Sequence, residues 1–117
     1  MELHLVAVGK LRPSYRDVCD DYLRRFRRFQ SVRESEVREA GRAGSVPLQH
    51  KAEGELLLRS IPDGATMTLL EVTGVNWSSE ELAVELDRWR QAGRPHVVMI
   101  GGAAGVSASV RARADSC

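Results

Sequence analysis

Hydrophobic residues change their spacing repeatedly along the chain, and the changes predict eight segments. Four runs predict strands, at residues 3–8, 32–39, 66–72 and 96–100. After each run, apolar side chains recur every three or four positions, which predicts helices at residues 14–28, 48–60 and 78–92 and from 107 to the end of the chain. Strands and helices that alternate four times are typical of an α/β domain with a mostly parallel sheet flanked by helices.

Local signals refine these segments. The third strand is mostly apolar, which predicts a central position in the sheet. In the second strand, charged residues interrupt the apolar pattern, which favours a position at an edge of the sheet. Ser14 is a candidate N-cap for the first helix. Ser78 and Glu81 form a capping box for the third, and Gly93 ends it.

Composition indicates one domain over residues 1–117. The chain has 17 basic and 16 acidic residues and a net charge of +1, so a nucleic-acid partner has to be argued from local patches. No apolar run reaches the length of about 20 residues that a membrane span needs, and the N-terminus lacks the features of a signal peptide. Cys19 and Cys117 fit free thiols in a reducing compartment. We therefore expect a cytoplasmic protein without a membrane partner.

The candidate chemistry begins where the fourth strand ends, in the glycine-rich turn Gly101–Gly105. Glycines at the carboxyl end of a parallel strand let the backbone approach a ligand closely. The third strand runs into a similar segment, from Leu70 to Gly74. If the two strands are neighbours, both segments flank one ligand. The alternative is that the glycines serve the turn geometry alone.

A basic cluster with interleaved aromatics, the arginine cluster, predicts a contact with RNA. It consists of Arg24, Arg25, Arg27 and Arg28, next to Phe26 and Phe29. The alternative is that these cations complement the dipole at the end of the first helix while both phenylalanines pack inward.

The remaining polar and aromatic residues give weaker signals. Glu71 lies at the end of the third predicted strand, beside the candidate site, and is a candidate to orient a ligand or accept a proton; the alternative is a surface charge. The three histidines have no spacing typical of a metal site or a catalytic triad, so we expect no metal and assign no catalytic residue. Trp77 and Trp89 are interpreted as packing residues.

Taken together, five segments resemble one known family. They are LVAVG at 5–9, YLRRF at 22–26, GVNWSS at 74–79, LAVEL at 82–86 and IGGAAG at 100–105. In this combination and order they resemble the ribosomal RNA large subunit methyltransferase H family, within the knotted SPOUT methyltransferases. The resemblance covers essentially the whole chain.

The resemblance implies a function and a site. It implies methylation of N3 of a pseudouridine in 23S rRNA of the large ribosomal subunit, with S-adenosylmethionine as methyl donor. By position, Leu70 and Gly101 match family residues that line the donor site, and Gly102 and Gly105 complete the same turn. Ala104 departs from the family, whose members often carry an acidic residue there.

The resemblance also concerns the end of the chain. Family members continue beyond Cys117 with a strand, a loop over the methyl donor, a helix and a tail bearing His and Arg. That segment ties the trefoil knot and contributes to a homodimer, so we expect residues 1–117 to form an incomplete SPOUT-like α/β domain. The alternative function is a catalytically inactive remnant that binds RNA or a partner.

Overall fold

Four strands and four helices alternate along the chain, as the hydrophobic pattern predicts. The structure is a computed structural model that describes all residues from 1 to 117. The strands are β1 (Leu3–Val8), β2 (Val32–Val37), β3 (Thr66–Leu70) and β4 (His96–Ile100). The helices are α1 (Pro13–Phe26), α2 (Val46–Arg59), α3 (Ser79–Ala92) and α4 (Ala108–Arg113). The α/β fold class is confirmed.

All strands are parallel and lie in the order β2-β1-β4-β3. The charged strand β2 is at one edge, as predicted. The central position predicted for β3 is wrong, because β3 forms the other edge. Ile100, at the end of β4, pairs with Ala7 of β1 and with Leu70 of β3. The carboxyl ends of these three strands therefore lie side by side.

The apolar character of β3 has a reason other than a central position. Met67 and Leu69 are completely buried on one face of the sheet. The free edge of β3 is covered by the last residues of the chain: the Leu69 N–H donates to the Ser116 carbonyl at 2.9 Å, and the Asp115 N–H donates to the Met67 carbonyl at 2.8 Å. The apolar sequence of a strand thus indicates that its side chains are buried. It does not indicate whether the strand has one neighbouring strand or two.

The hydrophobic core lies on one face of the sheet, beneath α2 and α4. It consists of Val6, Leu57, Ala65, Met67, Leu69, Val97, Met99, Val106 and Val110. The other face carries α1 and α3, and neither of these helices has a fully buried residue. Two cavities of about 440 and 580 Å³ open between these helices and the sheet.

The helix ends confirm some of the predicted caps and correct others. The Ser78–Glu81 capping box is present, and Gly93 ends α3 with a φ of 71°. Ser14 does not cap α1, which begins at Pro13 after Arg12, because proline fits the first turn of a helix. Helix α2 begins at Val46 and not at Leu48, since the Ser45 hydroxyl caps it.

The last helix is shorter than predicted. Helix α4 ends at Arg113, whereas the pattern predicts a helix from Ser107 to the end of the chain. Ala114 is extended, and Ser116 forms a parallel bridge with Thr68. The backbone hydrogen bonds that β3 offers at its edge replace those of a further helical turn.

His96 is the centre of a buried polar network at the start of β4. Its ring is 2% exposed and stacks on Trp89, with the ring centroids 3.7 Å apart. Its Nδ1 is hydrogen-bonded to the Thr66 hydroxyl at 2.5 Å and its Nε2 to the Thr68 hydroxyl at 2.9 Å. Burial lowers the pKa of His96 to about 4, against a smaller opposing effect of the Asp115 carboxylate.

The depressed pKa of His96 predicts that stability falls in acid. Below pH 6.5 the unfolded chain binds a proton at this histidine that the folded protein takes up only near pH 4. The contribution of His96 to the free energy of unfolding is therefore fully present above pH 6.5. Between pH 7 and pH 4 this free energy falls by about 3 kcal/mol. Urea unfolding at a series of pH values measures this loss.

The control for this prediction is His96→Gln. Burial also lowers the pKa of His4, so a smaller pH dependence of the same sign remains in the variant. An unchanged pH dependence in His96→Gln would contradict the assignment to His96.

Candidate functional site

The candidate site lies at the carboxyl ends of β3 and β4. Because Leu70 and Ile100 are direct partners, Glu71 and Gly101 leave the sheet next to each other. The structure thus confirms that the two strands are neighbours. Both segments singled out from the sequence leave the sheet at the carboxyl ends of the strands. Ligands of open α/β sheets bind at this edge.

Close packing explains the first glycine of the turn. A Cβ at Gly101 would stand 2.5 Å from Cγ1 of the buried Val106. The turn then closes with a hydrogen bond from the Gly105 N–H to the Gly102 carbonyl at 3.0 Å, with Gly105 at a φ of +87°. Packing therefore requires glycine at position 101 and backbone conformation requires it at position 105, and at both positions the backbone carries no side chain that would separate it from a ligand.

Gly102 lies against a buried carboxylate that the sequence analysis missed. A Cβ at Gly102 would stand 2.9 Å from Oε1 of Glu53, a residue of α2 that is 2% exposed. Oε2 of Glu53 accepts hydrogen bonds from the Ala40 N–H at 2.9 Å and from the Gln49 amide at 3.1 Å. Oε1 has no partner. The signal was available, because Glu53 lies four residues before Leu57 and thus on the buried face of α2.

His50 fixes the middle of the turn. Its Nε2 lies 2.5 Å from the Ala104 carbonyl oxygen. Since a carbonyl oxygen only accepts hydrogen bonds, Nε2 carries the proton in this contact. A side chain of α2 thus bonds directly to the backbone of the turn.

The β3 side of the site presents an apolar residue and an ion pair. Leu70 is 49% exposed, and the Glu71 carboxylate accepts a hydrogen bond from Nε of Arg111 in α4. The segment after Glu71 contacts the end of the chain, where the Val75 N–H donates to the Cys117 carbonyl at 3.2 Å. The 440 Å³ cavity extends from this segment beneath α3.

The arginine cluster lies at the amino ends of the strands, whereas the glycine turn lies at their carboxyl ends. Helix α1 runs from the end of β1 to the start of β2, and its 14 residues make it about 21 Å long. Arg24 and Arg25 form salt bridges with Asp21. Arg27 donates to the Val32 carbonyl at 3.3 Å.

The phenylalanines beside the cluster differ from each other. Phe26 is half-buried, whereas Phe29 is 78% exposed. The alternative in which both pack inward is therefore wrong for Phe29.

The other residues singled out from the sequence have packing roles. Trp77 and Trp89 lie with ring centroids 6.4 Å apart, and His4 is hydrogen-bonded to the Ser35 hydroxyl at 2.7 Å. No three His, Cys, Asp or Glu side chains are grouped so that they could hold a metal ion. No helix has the length and apolar content needed to cross a membrane.

Comparison with known proteins assigns the family. A family profile described as "Predicted SPOUT methyltransferase" matches residues 1–117. The chain belongs to the SPOUT methyltransferase family. The parallel sheet and the glycine turn at its carboxyl edge agree with this assignment.

Curated relatives are similar over nearly the whole chain. A protein of Cereibacter sphaeroides named ribosomal RNA large subunit methyltransferase H is 40% identical over 122 residues, which cover 98% of this chain and 76% of the relative. Proteins of the same name from Chromobacterium violaceum and Pseudomonas putida are each 36% identical over 118 residues, with the same coverage. The SPOUT family resemblance stated from the sequence is confirmed.

The contact between Gly101 and Val106 predicts a specific coupling in this SPOUT domain. We expect Gly101→Ala to lower the free energy of unfolding by about 1–3 kcal/mol, because the added methyl overlaps Val106. In a Val106→Ala background the same change should cost much less, since the overlapping Cγ1 is gone. Urea unfolding of the four proteins in this double-mutant cycle measures the coupling. An equal cost of Gly101→Ala in both backgrounds would rule out the proposed contact.

The buried carboxylate predicts a second effect. Glu53→Ala leaves the Ala40 N–H without its acceptor, and we expect a loss of about 2 kcal/mol in unfolding free energy. Glu53→Gln keeps an acceptor oxygen and should lose less. Glu55→Ala, an exposed position on the same helix, is the matched control and should change stability little. Equal losses at positions 53 and 55 would show that Glu53 does not hold the loop after β2.

Proposed function

We propose that the protein methylates ribosomal RNA of the large subunit, with S-adenosylmethionine as methyl donor and N3 of a pseudouridine in 23S rRNA as acceptor. The observation that carries the proposal is the pairing of Leu70 with Ile100, which brings Leu70 and Gly101 to adjacent strand ends. Relatives that are 36–40% identical to this chain over the aligned residues are named ribosomal RNA large subunit methyltransferase H, which supports the rRNA part of the proposal.

The residues at the two strand ends fit such a donor. Leu70 is half-exposed and offers apolar surface, while Gly101, Gly102 and Gly105 offer backbone without side chains. The unpartnered Oε1 of Glu53 places a buried acceptor directly behind Gly102. When bound, S-adenosylmethionine supplies an electrophilic methyl group on a positively charged sulfonium. An apolar wall and a carboxylate behind the turn suit a cationic molecule with a large organic body.

The contribution of these residues to the reaction is mainly positioning. The backbone of Gly101 and Gly102 and the side chain of Leu70 would form two walls of the donor pocket and hold the methyl group in line with N3 of the pseudouridine. As the N–C bond forms, the C–S bond of the sulfonium would break with release of S-adenosylhomocysteine, and the proton on N3 would have to pass to a base, a role to which we assign no residue of this chain. Glu71 is engaged by Arg111, so we assign to it the role of tying α4 to the end of β3. The arginine cluster lies at the far end of α1, away from the two strand ends that form the proposed site.

The direct test is transfer of tritiated methyl groups from S-adenosylmethionine to purified large ribosomal subunits. Two proteins are compared: the 117-residue chain, and the same chain extended after Cys117 by the remaining quarter of the Cereibacter sphaeroides relative. We expect the extended protein to label 23S rRNA at a single pseudouridine, identified by nuclease digestion and mass spectrometry. Subunits already methylated at this position are the control and should take up no label.

The outcomes separate the two functions considered. Labelling by the extended protein supports the proposal. Subunit binding by both proteins without labelling by either would contradict it and favour the alternative, a catalytically inactive protein that binds RNA.

A further inference from the structure

Four exposed cationic side chains lie in the two loops that follow β1 and β2. Lys10 and Arg12 belong to the loop between β1 and α1, and Arg38 and Arg42 belong to the loop between β2 and α2. The two loops together contain one carboxylate, that of Glu39. We call Lys10, Arg12, Arg38 and Arg42 the cationic rim.

The charges of the cationic rim are not neutralised within the protein. None of the four side chains forms a salt bridge or a side-chain hydrogen bond. Arg16, one turn further along α1, differs, because it bonds to Asp20, Glu34 and Glu36. Arg16 thus pairs with the carboxylates at the end of β2, and Glu39 is the one carboxylate left among the four rim cations, so the two loops keep a net positive charge in solvent.

The strand register places the cationic rim beside the glycine turn. Val8 of β1 pairs with Val37 of β2, and the Gly9 N–H donates to the Val37 carbonyl at 2.8 Å. On its other side β1 pairs with β4, where Ala7 is the partner of Ile100. Neighbouring strands lie about 5 Å apart, so the two loops begin about 5 and 10 Å from the start of the turn. A macromolecule whose reacting base reaches the turn therefore lies within reach of both loops.

We propose that the cationic rim is the surface that binds the phosphate backbone of the rRNA segment carrying the modified nucleotide. This proposal rests on the proposed function, which supplies the RNA. Lysine and arginine side chains on flexible loops contact phosphate oxygens without reading sequence, and they fix the register of the nucleic acid on the protein. The rim, and not the arginine cluster of α1, then holds the RNA close to the methyl donor.

The test compares two variants that each remove four positive charges. The rim variant carries Lys10→Gln, Arg12→Gln, Arg38→Gln and Arg42→Gln. The cluster variant carries Arg24→Gln, Arg25→Gln, Arg27→Gln and Arg28→Gln. Binding of the 117-residue protein to purified large ribosomal subunits is measured over a series of KCl concentrations. Circular dichroism and the unfolding midpoint show whether each variant is folded.

The expected result follows from release of counterions. The rim variant should bind about 100-fold more weakly in low salt. The slope of log K against log salt, which is negative, should become less steep by about 3, since four phosphate contacts are lost. The cluster variant should lose less than tenfold, because Asp21 already neutralises part of its charge. A rim variant that keeps the affinity and salt slope of the wild type would overturn the proposal, as would a larger loss in the cluster variant.

The binding test and the methyl-transfer test can contradict the two proposals independently of each other. Rim-independent binding together with methyl transfer by the extended protein would overturn the assignment of the surface alone. Rim-dependent binding of subunits without methyl transfer would overturn the proposed reaction and leave the phosphate-binding surface in place.

Discussion

The parallel pairing of β4 between β1 and β3 is the constraint on which the rest of the structure depends. It places Ile100 next to both Ala7 and Leu70, so that the segments after three strands leave the sheet together. The proposed donor site lies on the β3 side of Ile100, and the cationic rim begins on the β1 side. The register of these three strands thus places the proposed methyl donor and the proposed RNA surface together at the carboxyl ends of the strands.

The glycine turn is as much a part of the core as of the site. Gly101 packs on Val106, and Gly102 packs on Glu53, whose other oxygen holds the loop after β2 through the Ala40 N–H. His50 holds the Ala104 carbonyl from the same helix. Helix α2 therefore supports both the turn and one of the loops of the cationic rim. Substitutions beneath the turn should affect stability and ligand binding together, since the same contacts serve both.

Features encoded by neighbouring residues could be predicted from the sequence, and features that depend on distant contacts could not. The strand and helix alternation and the Ser78–Glu81 capping box follow from local spacing. The edge position of β3 follows from its pairing with β4 alone, and the early end of α4 follows from hydrogen bonds between β3 and residues 115–116; no local pattern reveals either. Leu70 and Gly101 are predicted site residues because they stand where two apolar runs end and because the sequence resembles a known family at these positions. Glu53 was missed because its role depends on the approach of Gly102, forty-nine positions later.

The most direct test of the central claim, a donor site between Leu70 and the glycine turn, is an amide chemical-shift titration. The ¹⁵N-labelled extended protein of the methyl-transfer test is titrated with S-adenosylmethionine, and the readout requires binding of the donor but not catalysis. Our account predicts that the largest shifts fall on Leu70, Glu71 and Gly101–Gly105. Shifts confined to other parts of the chain, or no shifts at millimolar donor, would contradict it.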